Sequence, residues 1–285
     1  MQRLMLYGRL VRIDKPIGIL LLLWPTLWAL FVSAQGWPSV KLLFIFVLGT
    51  ILMRSAGCAM NDYFDRDVDL HVQRTQHRVL TAGLIKPKEA LWVAAILGLL
   101  SLGLVWSLNR LTLQLAVVAA VLAVTYPLFK RFFAIPQAYL GIAFGFGIPM
   151  GFAATSGAVP LVAWILLLAN VFWAIAYDTE YAMVDRDDDR RLNLKTSALT
   201  FGRYDVLCVA FCYLMTFLLL GLVGYLLDYG RPYALGLLVG ASLSTIHVYW
   251  IRNRDRDACF RAFLHNTWVG CAIFTGIFLE TIVFS

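Results

Sequence analysis

Nine apolar runs, each long enough to cross a bilayer as a helix of ~20 residues, divide this chain. They fall at roughly 17–35, 40–60, 89–107, 111–129, 134–154, 160–178, 204–227, 231–250 and 262–283. Gly36-Trp37-Pro38, Lys86-Pro87-Lys88 and Gly230-Arg231-Pro232 punctuate them. Short strands of alternating polarity, the mark of a membrane barrel, are absent, so the expectation is an all-α polytopic bundle. Composition agrees. Hydrophobic residues make up 61% and charged residues 14%, against about 45–50% and 25% in soluble domains. We expect a single integral-membrane domain over 1–285. Residues 1–15 should form a basic amphipathic helix at the membrane surface. Pro136 and Pro149 predict a kink in the fifth span.

The net charge of +7 does not call for nucleic acid. With the N-terminus placed inside, alternate segments hold 20 Lys and Arg inside and 3 outside, leaving Arg54 within a span. The positive-inside rule then puts the N-terminus in the cytoplasm and the C-terminus outside. Spans two and six run in the same direction under this reading. Each ends in an acidic cluster at the cytoplasmic face, and the segments 61–88 and 179–203 are expected to be cytoplasmic active-site loops. The matching positions of Asp62 and Asp178 hint at duplicated four-span units.

The first cluster holds Asp62, Asp65, Asp67 and Asp69, the second Asp178, Glu180, Asp185, Asp187, Asp188 and Asp189. Together they contain ten of the chain's 17 acidic residues. On helices, Asp62, Asp65 and Asp69 would share one face beside Asn61, and Asp178, Tyr181, Asp185 and Asp189 would form a second stripe. Like charges stacked at helix C-termini oppose both each other and the macrodipole. A cation resolves this, and oxygen-only ligands select Mg²⁺ or Ca²⁺, with Mg²⁺ favouring a few carboxylates plus phosphate oxygens. Such stripes could grip a diphosphate through bridging metals. Arg74, Arg78, Lys130, Arg131, Arg191 and Lys195 are nearby basic groups. Arg54, two turns before Asn61 and at membrane depth, should face the bundle interior, where its planar guanidinium suits a carboxylate. Tyr126, Phe172 and Trp173 are candidates to line the cavity and shield a transient cation. The four histidines show no metal-ligand spacing.

These residues resemble the UbiA-type membrane prenyltransferases. Asn61, Asp62, Asp65 and Asp69 meet the pattern Asn-Asp-x-x-Asp-x-x-x-Asp. Asp178, Tyr181, Ala182, Asp185 and Asp189 meet Asp-x-x-Tyr-Ala-x-x-Asp-x-x-x-Asp. Within the family, stretches 14–30, 53–69, 126–131 and 177–189 look most like the bacterial members acting on 4-hydroxybenzoate. The resemblance implies helices around a central cavity open sideways to lipid. It also implies Mg²⁺ ions held by Asp62, Asp65, Asp69, Asp178, Asp185 and Asp189 against the diphosphate of a polyprenyl donor. Asp62, Asp65, Asp185 and Asp189 would be catalytic, with Asn61 and Tyr181 contacting substrate. Arg78, Tyr126 and Lys130 would assist the diphosphate, and Arg54 and Arg131 would hold the aromatic carboxylate. The implied reaction moves a polyprenyl group from polyprenyl diphosphate to the ring carbon ortho to the hydroxyl of 4-hydroxybenzoate, in ubiquinone biosynthesis at the bacterial inner membrane. Dihydroxynaphthoate and homogentisate are alternative acceptors. A divalent-cation or lipid-phosphate transporter would also show duplicated halves and intramembrane charge, but its site should lie nearer the midplane.

Overall fold

A computed structural model describes residues 2–129, 133–192 and 194–283. Among them, nine helical spans are long and apolar enough to cross a membrane. After a short helix α1 (Gln2–Leu10) come α2 (Ile17–Ala34), α3 (Val40–Asp69), α4 (Pro87–Val105) and α5 (Arg110–Phe129). The fifth span is broken at Phe146 into α6 (Pro136–Gly145) and α7 (Gly147–Ser156). This is the expected kink, with Pro149 in the first turn of α7, where its missing N–H is no loss. There follow α8 (Leu161–Val184), the short α9 (Arg186–Arg191) and α10 (Ser197–Phe201), and then α11 (Asp205–Leu226), α12 (Arg231–Ile251) and α13 (Arg256–Phe278). No strand occurs among the described residues.

Local chemistry sets the ends. The Ser39 hydroxyl accepts from Leu42 N–H at 3.2 Å and starts α3, and the Asp255 carboxylate accepts from Ala258 N–H at 2.9 Å and starts α13. Gly157, at φ +73°, supplies the left-handed residue that ends α7. α3 is the exceptional element. Its 30 residues span about 45 Å, against ~30 Å of hydrocarbon, so its acidic end projects beyond the apolar slab. This corrects the expected loop at 61–88: the chain stays helical to Asp69 and leaves the helix only at Leu70. Likewise α8 runs to Val184, and 179–203 is largely helical rather than loop. The predicted surface helix at 1–15 is helical over Gln2–Leu10. It is held by Arg3 and Tyr7, which bond the Glu89 carboxylate at 2.5 and 2.6 Å.

The main apolar core joins α2, α8, α11, α12 and α13 around Trp28, Trp173 and Ile273. α4 and α5 turn Trp92, Leu99 and Val117 outward, as lipid-facing helices do. Small residues bring α12 and α13 together. A Cβ placed on Gly236 would lie 2.6 Å from Gly276 Cα. Gly236→Val should therefore force the two helices apart and lower the thermal unfolding midpoint by several degrees. Gly221→Ala, with nothing within 4 Å of the added carbon, should leave the midpoint unchanged in the same detergent.

Candidate active site

The ends of α3 and α8 meet at one cavity of about 1450 Å³. Asp62, Asp65 and Asp69 line it from α3, and Asp178, Tyr181, Asp185 and Asp189 from α8 and α9. Helical rotation explains the first set, since i, i+3 and i+7 share a face of α3, and it explains Asp178 and Tyr181 on α8. The expected single stripe is interrupted where α8 ends at Val184, and Asp185 at the junction and Asp189 on α9 reach the cavity across that break. Arg54, Asn61, Arg78 and Tyr126 line the same space. The predicted carboxylates, with Arg54, Asn61, Arg78, Tyr126 and Tyr181, are thus brought to one cavity, whereas Arg191, Phe172 and Trp173 do not line it. Lys130 and Arg131 lie outside the described residues.

The carboxylates are engaged by arginines. Asp62, only 2% exposed, accepts from Arg12 Nη2 at 2.5 Å and from Arg78 Nη1 at 3.1 Å. Arg78 also reaches Asp69 at 2.6 Å. Asp185 receives Arg74 through Nη2 at 2.5 Å and Nε at 3.1 Å, while the Arg74 guanidinium lies 4.5 Å from the Tyr181 ring centroid. Burial disfavours the charge on Arg12, but Asp62, Cys58 and Tyr181 outweigh it and raise its pKa above the ordinary arginine value. Arg74 is raised in the same way, with Tyr181 and Asp185 overcoming burial.

Among the described residues, no three His, Cys, Asp or Glu side chains form a group tight enough to hold a metal ion. The donor set nevertheless fits a hard cation: six carboxylates and no sulfur or imidazole ligand among the predicted positions face one cavity. A bound anion that drew the arginines away would release Asp62 and Asp185 for that purpose.

Arg54 faces inward as expected. Its Nη1 contacts Cys58 Sγ at 3.0 Å, its guanidinium carbon lies 5.7 Å from the Phe144 centroid, and its buried Nε has no hydrogen-bond partner among the described residues. It passes across the start of α2 at Gly18, where a Cβ would stand 2.6 Å from Nη2. Arg12 was counted in the sequence only towards charge topology, and its placement depends on the turn after α1, where it adopts φ +56°. Two expected cavity aromatics belong elsewhere. Trp173 is fully buried in the core, donates to Asn266 Oδ1 at 2.9 Å and packs on Trp28. Phe172 packs on Phe211. Tyr177, Phe144, Phe260 and Phe263 line the cavity instead. Glu180, assigned with the second cluster, points the other way and accepts from Tyr213 Oη and Asn266 Nδ2, both at 2.8 Å.

Fold and site define a polytopic membrane protein with a carboxylate- and arginine-lined cavity between its helices. The sequence model of the UbiA prenyltransferase family matches residues 22–270, and the chain belongs to that family. It is 61% identical over 280 residues to a 4-hydroxybenzoate octaprenyltransferase of Janthinobacterium sp. (strain Marseille), covering 98% of this chain and 99% of that protein. In structure it is similar to a UbiA homologue from Aeropyrum pernix K1, with a TM-score of 0.81, 23% identity and coverage of 92% and 97% of the two chains. A UbiA homologue from Archaeoglobus fulgidus bound to GPP and Mg²⁺ matches with a TM-score of 0.70, 19% identity and coverage of 96% and 99%.

Because Gly18 leaves room for the Arg54 side chain, Gly18→Ala should displace the guanidinium and cut prenyl transfer by about tenfold. Gly98→Ala, on lipid-facing α4 with no atom within 4 Å, should leave the rate unchanged in the same assay.

Proposed function

We propose that this protein transfers a polyprenyl group from polyprenyl diphosphate to the ring carbon ortho to the hydroxyl of 4-hydroxybenzoate, releasing diphosphate, in ubiquinone biosynthesis. It does so in the bacterial inner membrane, with the N-terminus and the acidic face in the cytoplasm and the C-terminus in the periplasm. The carrying observation is one cavity that joins two carboxylate stripes and several arginines to a deeper, aromatic-walled region holding Arg54. The 61% identity with the Janthinobacterium protein over nearly the full length supports the choice of acceptor.

The residues divide the work by depth. At the acidic layer, Asp62, Asp65, Asp69, Asp178, Asp185 and Asp189 would hold Mg²⁺, which when bound supplies Lewis-acid neutralisation of the diphosphate. Arg12, Arg74 and Arg78 stand at the same layer, and Arg78, Tyr126, Lys130 and Asn61 would bind the diphosphate oxygens as the allylic C–O bond breaks. Phe144, Phe260 and Phe263 present apolar walls that exclude water from the cationic carbon. Tyr181 lines the reaction chamber and supports Arg74 with its ring face. Arg54, with Arg131, would orient the acceptor by its carboxylate, so that the ring carbon beside the phenol meets the prenyl carbon. A carboxylate of the second stripe would take the ring proton or help to ionise the phenol.

Asp62→Asn and Asp185→Asn should each lower turnover by at least about a hundredfold, while the protein stays inserted and folded by size-exclusion profile. Near-normal turnover in either variant would contradict a site built from both stripes. Arg54→Ala should raise the KM for 4-hydroxybenzoate about tenfold and leave that for the prenyl diphosphate unchanged. A defect confined to the donor would contradict the acceptor role.

A further inference from the structure

Three buried polar atoms on residues of the cavity wall lack hydrogen-bond partners among the described residues: Arg54 Nε, the Tyr177 hydroxyl and the Thr196 hydroxyl, the last in the segment beyond α9 and the first two on the membrane-spanning helices α3 and α8. Native structures leave few buried polar groups unsatisfied, because each forfeits its hydration without return. Tyr177 has little freedom to escape. It is 2% exposed, and its ring is held between Trp173, at 5.2 Å between centroids, and Phe263, at 6.3 Å. Arg54 has spent one nitrogen on Cys58 and still leaves Nε unused.

The two positions match in depth. Arg54 precedes Asp62 by eight residues on α3, and Tyr177 precedes Asp185 by eight on α8. At 1.5 Å per residue, Arg54 lies about 12 Å along its helix from Asp62 and Tyr177 about 12 Å from Asp185, with Asp178 the one carboxylate next to Tyr177. Tyr177 is also within electrostatic reach of both Arg54 and Asp178. Two helices thus present one cationic and one neutral donor at one level of the cavity. A carboxylate needs both charge and directional hydrogen bonds, and an isoprenoid tail offers neither group an acceptor. The diphosphate belongs at the other layer, with Arg12, Arg74 and Arg78.

We infer that the Tyr177 hydroxyl is an acceptor-binding group that donates to the carboxylate of the aromatic acid beside Arg54, so that both donors are satisfied only when the acceptor is bound. This rests on the acceptor reading above and names a residue that the family motifs in this chain leave out.

Tyr177→Phe removes only the hydroxyl. With the full-length protein in nanodiscs, its KM for 4-hydroxybenzoate should rise about tenfold, the equivalent of losing one hydrogen bond to a charged group. The KM for the prenyl diphosphate should stay within about twofold. Benzoate, which keeps the carboxylate, should inhibit the variant more weakly by the same factor, while phenol should inhibit both proteins equally. The unfolding midpoint without acceptor should be unchanged or higher, since an unsatisfied group has gone. An unchanged acceptor KM, a shift seen with phenol alone, or a lower midpoint in the absence of acceptor would each overturn the inference. Failure of the wild-type protein to use 4-hydroxybenzoate at all would instead overturn the acceptor reading on which it rests.

Discussion

Carboxylates placed almost out of water must be paired, and this site depends on that constraint. Asp62 is shared by Arg12 and Arg78, Arg78 continues to Asp69, and Arg74 closes on Asp185. Each arginine comes from a different part of the chain than the helix face it neutralises: the turn after α1, and the segment that follows α3. The pairs permit α3 to carry three stacked carboxylates to its last turn against its own macrodipole. They also tie the first acidic stripe to the second, because Arg74 follows the first and binds the second.

Such pairs are poor candidates for net stabilisation, since the desolvation of both ions offsets most of the attraction. Their value lies in readiness. A diphosphate brings its own anionic oxygens, and a guanidinium can exchange a carboxylate for a phosphate with no loss of geometry. A bound diphosphate that drew the arginines to itself would free Asp62 and Asp185, two of the carboxylates that would hold a divalent cation. Deeper in the cavity the logic changes from charge pairing to vacancy, with donors on Arg54 and Tyr177 left unused by the protein itself.

Much of this was legible before any coordinates. Membrane-length apolar runs yield the helical class and the nine spans, because the bilayer tolerates no other open arrangement. The i, i+3, i+7 spacing places Asp62, Asp65 and Asp69 on one face, and the same rule places Asp178 and Tyr181. What spacing leaves open is how each helix is rotated against its neighbours. Trp173 is one residue from an equally aromatic Phe172 and four from Tyr177, yet only Tyr177 reaches the cavity. Glu180 sits between motif residues and bonds to α11 and α13 instead. Arg12 was hidden for a different reason: its partner is 50 positions away, and a basic residue beside a first span already has a sufficient explanation in membrane topology.

The most direct test of the account is the product itself. Purified protein in nanodiscs, given a prenyl diphosphate and an equimolar mixture of 4-hydroxybenzoate, dihydroxynaphthoate and homogentisate, would be assayed by mass spectrometry of the extracted lipid. The account predicts one product, the ring-prenylated 4-hydroxybenzoate, lost on chelation with EDTA and restored by Mg²⁺. Prenylation of another acceptor in its place, or undiminished product after chelation, would contradict it.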